Sequence, residues 1–138
     1  MSDVAWIAVD WGTSHLRAWL MRSDGSVVER RGSDAGMGTL DRADYESALR
    51  ALVGEALPVP VLACGMVGSR QGWAEAPYAT APCTPPSAAE AVQVPGIGVR
   101  ILPGVKQTNP TDVMRGEETQ IAGCLAAHPG CDGVICLP

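Results

Sequence analysis

Residues 10–14, Asp-Trp-Gly-Thr-Ser, place a carboxylate just before a glycine and two hydroxyl side chains. The apolar run that ends at Asp10 predicts a strand that delivers this carboxylate to the edge of a sheet. Gly12 has no Cβ, so its backbone can approach a phosphoryl oxygen closely, and the N–H groups and hydroxyls of Thr13 and Ser14 can line an anion-binding hollow. Asp10 is the candidate metal ligand, because Mg²⁺ keeps most of its water shell and needs few protein oxygens.

Each of these residues also has an ordinary structural interpretation. Asp commonly forms turns at strand ends, and Thr13 and Ser14 can cap their own turn. Arg17 can neutralise phosphate charge or can be a surface residue of the predicted hairpin. Because Gly-Thr-Ser follows the carboxylate directly, we favour phosphate and metal binding by this segment.

Two carboxylates further along the chain are alternative candidates for a general base. Transfer of a phosphoryl group to an alcohol needs a carboxylate that orients the hydroxyl and accepts its proton. Glu118 falls in the first turns of a predicted helix, where the helix dipole favours carboxylates in any case. Asp112 stands at the predicted start of that helix, so the choice between the two stays open.

A long stretch rich in Gly, Pro, Ser and Thr, residues 65–86, predicts a loop. Loops of this length in compact domains are usually functional. Its polar and aromatic side chains favour ligand binding, and a surface loop anchored by a buried Trp is the alternative. The candidate contacts are Ser69, Arg70, Gln71 and Trp73.

Hydrophobic periodicity predicts the elements that position these side chains. Strands are expected over residues 6–10, 15–21, 27–30, 59–64, 99–102 and 133–137. Helices are expected over 41–57, capped by Asp41, over 87–92, and over 113–127, capped by Thr111 and Asp112. This order predicts an α/β fold in which a mixed central sheet, opened by a three-strand meander, is flanked by helices. We expect the Trp residues at 6, 11 and 19 to belong to the core.

The composition limits the class of protein. The 138 residues are 46% hydrophobic and 18% charged, which predicts one domain with a proper core. A net charge of −5 argues against a nucleic-acid surface, and no apolar stretch reaches the roughly 20 residues of a membrane span. The five cysteines form no Cys-x-x-Cys pair, and we interpret most of them as reduced and buried. With no signal peptide apparent, a cytoplasmic protein is expected.

Three strings of residues carry a resemblance to known proteins. Residues 9–14, Val-Asp-Trp-Gly-Thr-Ser, together with the element order, resemble the first half of the actin-like phosphotransferase superfamily, which includes sugar kinases and exopolyphosphatases. Residues 64–73, Cys-Gly-Met-Val-Gly-Ser-Arg-Gln-Gly-Trp, and 114–121, Met-Arg-Gly-Glu-Glu-Thr-Gln-Ile, resemble the 2-dehydro-3-deoxygalactonokinases. The resemblance covers nearly the whole chain and implies a ribonuclease H-like, actin-like ATPase fold.

This family uses Mg·ATP to phosphorylate the 6-hydroxyl of 2-dehydro-3-deoxy-D-galactonate in galactonate catabolism. The resemblance therefore implies that residues 1–138 form the N-terminal domain of a two-domain kinase, whose C-terminal domain is not in this chain. ATP and Mg²⁺ would be held by Asp10, Gly12, Thr13, Ser14 and Arg17. A sugar acid is the implied small-molecule partner, with no nucleic acid or membrane, and a homodimer is compatible with this interpretation.

The same resemblance suggests what the loop binds. A sugar acid carries a carboxylate, which a guanidinium such as that of Arg70 can bind through two parallel hydrogen bonds. Three other functions remain open: another actin-like sugar kinase, a phosphohydrolase of the exopolyphosphatase kind, and a non-enzymatic actin-like ATP-binding module. The first two differ from the favoured function in the phosphoryl acceptor, and the third gives the loop no role.

Overall fold

A computed structural model describes residues 3–137, and its centre is a six-stranded mixed sheet. The strand order is β3-β2-β1-β4-β7-β6, where β1 pairs in parallel with β4 and β4 in parallel with β7. The remaining neighbours are antiparallel. The strands of this sheet are β1 (Trp6–Trp11), β2 (Leu16–Met21), β3 (Val27–Ser33), β4 (Val61–Cys64), β6 (Val92–Gln93) and β7 (Val99–Ile101).

A second, three-stranded sheet has the order β5-β8-β9. Its strands are β5 (Ala79–Thr80), β8 (Val105–Thr108) and β9 (Thr111–Met114), and β8 and β9 form an antiparallel hairpin. Two α-helices complete the regular structure, α1 (Tyr45–Val53) and α2 (Glu117–Ala127). The α/β class, the mixed sheet and the opening three-strand meander are as predicted.

One face of the large sheet carries the core, because side chains alternate between the two faces of a strand. Helix α1 packs on that face through Tyr45, Leu49 and Val53, all fully buried. The buried strand residues on the same face are Ile7, Val9, Trp11, Leu16, Ala18, Leu20, Val61, Ala63, Val99 and Ile101.

The first helix is shorter than its hydrophobic pattern predicts. Single 3₁₀ turns, Arg42–Asp44 and Gly54–Ala56, stand on either side of α1. Asp41 caps the first of these turns, and its amide donates to the Asp44 carboxylate at 3.0 Å. The periodic apolar face is as predicted, and only the winding of the end turns differs.

The prediction of a helix over residues 113–127 was wrong at its start. Residues 111–114 form β9, and their partner is β8, with Val105 opposite Met114 and Thr108 opposite Thr111. β-branched Thr111 and Val113 suit a strand, and the cross-strand hydrogen bonds override the helical spacing. Helix α2 begins at Glu117, after Gly116.

Three further predictions were wrong. Residues 87–92 contain a 3₁₀ turn, Ala88–Glu90, and not a helix. Residues 133–137 form no strand, and Val134 is 90% exposed. Of the five cysteines, which are all free, only Cys64 is buried. No helix within residues 3–137 has the length and apolar character to cross a bilayer.

Candidate active site

Asp10 lies near the end of β1, on the sheet face opposite α1. Its neighbours in the sheet are Arg17 on β2 and Cys64 on β4. It is half-buried, whereas Val9 and Trp11 on either side of it point into the core. The strand therefore delivers the carboxylate to the edge of the sheet, as the sequence predicts.

The turn after β1 is held by a neighbouring loop, residues 36–38. The Gly12 N–H donates to the His15 carbonyl at 3.0 Å, and the amides of Met37 and Gly38 donate to the carbonyls of Gly12 and Thr13 at 2.8 Å each. A Cβ on Gly36 would lie 2.3 Å from the Ser14 carbonyl carbon, so only glycine permits this approach. The loop fixes the turn from one side and leaves Thr13 and Ser14 exposed on the other.

Two glycines bring the start of α2 up to Asp10. Gly65 has a φ of +101° and Gly116 a φ of +105°, a region that favours glycine. A Cβ on Gly65 would lie 2.7 Å from the Trp11 carbonyl oxygen and 3.2 Å from Asp10 Oδ1. A Cβ on Gly116 would lie 3.6 Å from the Gly65 Cα. Neither glycine was predicted to have a role. Their positions inside residues 64–73 and 114–121, the two segments that resemble a known family, could have indicated one.

Glu118 is only 2% exposed, although its residue type is normally on the surface. Its two carboxylate oxygens accept the Gly116 N–H at 2.9 and 2.8 Å. Burial raises the pKa of Glu118, the Gly116 hydrogen bond opposes that rise, and the Glu117 charge adds to it. Glu118 thus occupies the helix start that the sequence assigned to the general base.

The electrostatics of Asp10 follow the same pattern. Burial raises its pKa most, Arg17 opposes the rise, and the negative charge of Glu117 adds to it. Burial and the nearby Asp10 raise the pKa of the Cys64 thiol to about 12, so this cysteine stays protonated. Burial therefore penalises the charged forms of both Asp10 and Glu118, and the negative charge of Glu117 adds to each effect.

Asp112 does not stand at a helix start. It lies exposed on β9 opposite Gln107, and its Oδ1 accepts the Val113 N–H at 2.9 Å. The prediction that Asp112 caps the helix was wrong, because the residues around it pair as a hairpin. Of the two candidate bases, only Glu118 lies at the start of the helix.

The loop after β4 separates its predicted contact residues into two groups. Ser69 is buried and its hydroxyl donates to the Met37 sulfur at 3.4 Å. Trp73 stacks on Tyr45 with ring centroids 5.9 Å apart, so it anchors the loop to the core. Arg70 and Gln71 are exposed, and the Arg70 carbonyl accepts a hydrogen bond from Arg42.

Arg115 is a residue that the sequence reasoning missed. Its Nη2 donates to the Ala76 carbonyl at 2.6 Å, and its guanidinium carbon lies 4.2 Å from the centroid of the Tyr78 ring. Within the described part of the chain, its Nε and Nη1 are buried without a hydrogen-bond partner. The signal was available, because Arg115 belongs to the string that opens α2.

A cavity of about 380 Å³ lies on the sheet face that carries Asp10. Its apolar walls include Trp6, Trp19 and Leu62, and Thr119 lies with Asp10 among its polar lining residues. Trp6 and Trp19 are half-buried there, so the prediction that they belong to the core was wrong, and Trp11 alone is a core tryptophan. Side chains alternate between the two faces along β1 and along β2. Trp6 on β1 and Trp19 on β2 therefore lie on the sheet face opposite the core.

Comparison with known proteins decides the family. The family model described as 2-keto-3-deoxy-galactonokinase matches residues 10–138. The chain belongs to the 2-keto-3-deoxy-galactonokinase family. A Rhizobium meliloti (strain 1021) protein that carries the name probable 2-dehydro-3-deoxygalactonokinase DgoK1 is 41% identical over 140 residues, covering 95% of this chain and 45% of the relative.

Two further comparisons indicate the same family. The Escherichia coli (strain K12) 2-dehydro-3-deoxygalactonokinase is 38% identical over 128 residues, covering 90% of this chain and 44% of that protein. A crystal structure from Sinorhizobium meliloti, assigned to the same kinase, superposes with a TM-score of 0.75 at 41% identity. The matched region is 91% of this chain and 43% of the crystallised chain. This chain therefore spans less than half the length of these relatives.

The donor set beside Asp10 suits a hydrated Mg²⁺ ion. Within residues 3–137, no group of three His, Cys, Asp or Glu side chains could enclose a metal. Asp10 offers a single half-buried carboxylate at the end of β1. Mg²⁺ commonly binds through one or two carboxylates while keeping several waters, so the residues present fit that cation.

Proposed function

We propose that the protein acts in the ATP-dependent phosphorylation of the 6-hydroxyl of 2-dehydro-3-deoxy-D-galactonate. One observation carries the proposal. In a chain of this family, Gly65 and Gly116 bring the start of α2 against the Asp10 carboxylate, near the exposed Thr13 and Ser14, and Glu118 lies in the first turn of that helix. The proposed phosphate-binding turn, metal ligand and base would then lie at the same end of the sheet.

We also propose that the fold is one ribonuclease H-like half of an actin-like ATPase. Support comes from the strand order β3-β2-β1-β4-β7, in which an antiparallel meander is extended by two parallel strands. Strand β6 adds an antiparallel edge to that arrangement. Residues 1–138 would then be the N-terminal domain, and ATP would bind in the cleft to a second domain.

On the nucleotide side, Gly12, Thr13 and Ser14 would bind phosphoryl oxygens with backbone and hydroxyl donors, and Arg17 would add positive charge. Asp10 would hold Mg²⁺ through water, and the cation would neutralise charge on the transferred phosphoryl group. Burial raises the pKa of Asp10, and the neighbouring Arg17 partly opposes that rise and so favours the ionised form that a cation needs.

On the acceptor side, Glu118 would take the proton of the sugar-acid hydroxyl while the oxygen of that hydroxyl attacks the terminal phosphoryl group of ATP. Its raised pKa brings the carboxylate closer to the range in which a general base works best. Asp112 is the weaker alternative, because it lies exposed on β9 and not at the start of α2.

For substrate recognition, the exposed Arg70 would bind the sugar-acid carboxylate and Gln71 would contact hydroxyls, whereas the buried Ser69 would hold the loop through its hydrogen bond to Met37. The Trp73 ring, fixed against Tyr45, would give the loop a firm base. Closure of two domains over the substrate would exclude water, which competes as an acceptor. A cytoplasmic location and a homodimer are further proposals, and the five free cysteines agree with a reducing compartment.

A coupled assay on the full-length protein that contains these residues tests the proposal. We expect ADP formation that requires Mg²⁺ and 2-dehydro-3-deoxy-D-galactonate together. Turnover with a neutral sugar but not with this acid would replace the substrate class. Phosphate release without any sugar would indicate a phosphohydrolase, and nucleotide-dependent light scattering without turnover would indicate an assembly module.

A further inference from the structure

The Arg115 guanidinium lies where three segments of the chain meet. It donates to the Ala76 carbonyl and covers the Tyr78 ring, both in the segment that follows β4. A Cβ on Gly68 would lie 3.0 Å from Arg115 Nη1, and one on Gly104 would lie 2.7 Å from Arg115 Cγ. Two glycines thus make room for this one side chain.

Burying a guanidinium is costly unless its surroundings compensate the charge. Here a charge-assisted hydrogen bond of 2.6 Å and a cation–π contact compensate part of that cost. Nε and Nη1 have no hydrogen-bond partner among residues 3–137, so their desolvation lowers the free energy of unfolding without compensation. This uncompensated free-energy cost indicates that Arg115 has a role beyond packing.

We propose that Arg115 is a positioning residue that ties the substrate loop, residues 65–78, to the start of α2. Its catalytic consequence rests on the proposed function, because the loop then carries the sugar-acid contacts and α2 carries the base. This tie, the contacts of Arg115 with the loop, keeps Ser69 and Arg70 at a fixed position relative to Glu118.

The connections on each side of Arg115 are short. On the α2 side, Arg115 directly precedes Gly116, whose amide holds the Glu118 carboxylate. On the loop side, the Ala76 amide donates to the Gly68 carbonyl, and the Trp73 amide donates to the Val67 carbonyl, at 2.9 Å each. The loop is therefore a bonded unit, and holding Ala76 holds the rest of it.

Hydrogen exchange without substrate tests the tie independently of any kinase activity. In Arg115→Met, we expect the amides of Gly68, Trp73 and Ala76 to exchange about tenfold faster, while those of β1 and β2 keep their rates. Arg50→Met is the matched control, because Arg50 is exposed and pairs only with Glu46 on α1. Unchanged loop exchange in Arg115→Met would overturn the proposal.

Kinetics of the full-length protein then measure the consequence. Arg115→Met should raise KM for the sugar acid and lower kcat by about tenfold each, and leave KM for ATP within twofold. Arg115→Lys should recover part of the loss, since an ammonium keeps the charge over Tyr78. An equal loss for both substrates would point to general destabilisation and refute the positioning role.

A second variant covers the case in which Arg115→Met does not fold. Tyr78→Leu removes only the ring under the guanidinium, and we expect the same loop amides to exchange faster by a smaller factor. If this variant leaves loop exchange unchanged, the proposal fails. If loop exchange changes as expected while no sugar-acid kinase activity exists, the tie stands and the proposed function is what fails.

Discussion

The Gly116 amide donates to both carboxylate oxygens of Glu118, at 2.9 and 2.8 Å, from the position just before α2. Gly116 can do this because its φ of +105° turns the chain sharply between β9 and the helix. The same turn places Gly116 against Gly65, beside Asp10. One glycine therefore connects the candidate base to the candidate metal ligand.

Glu118→Gln tests the general base. The amide keeps an oxygen that can accept the Gly116 N–H but cannot accept a proton, so kcat should fall by about 10²–10⁴-fold with little change in melting temperature. Steady-state kinetics and thermal unfolding measure the two effects. Glu117→Gln, at an exposed neighbouring position, is the control, and an equal loss of kcat there would contradict the assignment.

Asp10→Asn should separate activity from stability. Loss of the carboxylate should lower Mg²⁺-dependent turnover by about 10²-fold, measured as initial rates against Mg²⁺ concentration. Because the pKa of Asp10 is raised in the folded state, the stability linked to its protonated form is lost as pH rises through that pKa. At neutral pH without metal, the variant should therefore melt at a higher temperature than the parent.

The control for this variant is Asp3→Asn, which alters an exposed carboxylate away from the site. It should leave both turnover and melting temperature unchanged. A lower melting temperature in Asp10→Asn, at neutral pH without Mg²⁺, would show that the carboxylate stabilises the fold and does not strain it.

Arg70→Ala tests the carboxylate clamp. Losing charge-assisted hydrogen bonds of about 1.5–3 kcal/mol should raise KM for the sugar acid roughly 10- to 100-fold and leave KM for ATP unaltered. Stability should not change, because the side chain is exposed. Arg30→Ala, exposed on β3, is the control, and an unchanged KM in Arg70→Ala would end the clamp hypothesis.

Gly65→Ala tests the close approach of the loop to β1. The left-handed backbone alone costs about 1–3 kcal/mol of unfolding free energy for a non-glycine residue. A clash of 2.7 Å with the Trp11 carbonyl oxygen should add to this. Gly25→Ala is the matched control, since Gly25 has a φ of +88° with open space around it. Denaturant titration should show a larger loss for Gly65→Ala, and equal losses would remove the argument from close packing.

Local patterns predicted the parts of the fold that depend on neighbours in sequence. The apolar run of residues 6–10 and the alternation of residues 15–21 indicated the first two strands, and their antiparallel pairing was as expected. The apolar spacing of Tyr45, Leu49 and Val53 identified the buried face of α1. In each case the hydrophobic period and the backbone geometry agree, so no distant contact was needed.

The β8–β9 hairpin shows where such patterns fail. Thr111 and Asp112 were predicted to cap a helix that begins at residue 113, yet residues 111–114 bond to residues 105–108, and the sheet decides their conformation. The same override moved Asp112 from a helix cap to an exposed strand. Pairing across a turn is a tertiary choice that a hydrophobic period does not encode.

The residue types of the candidate site were legible in the sequence: the Asp-Trp-Gly-Thr-Ser turn, the polar loop and the Glu pair. Their assembly was not, because it depends on the Gly65 Cα lying 3.6 Å from the Cβ position projected on Gly116 and on Arg115 reaching Ala76 across 39 residues. A motif records which groups are available. Close packing between segments far apart in sequence decides which of them meet, since only the folded chain brings their backbones within contact distance.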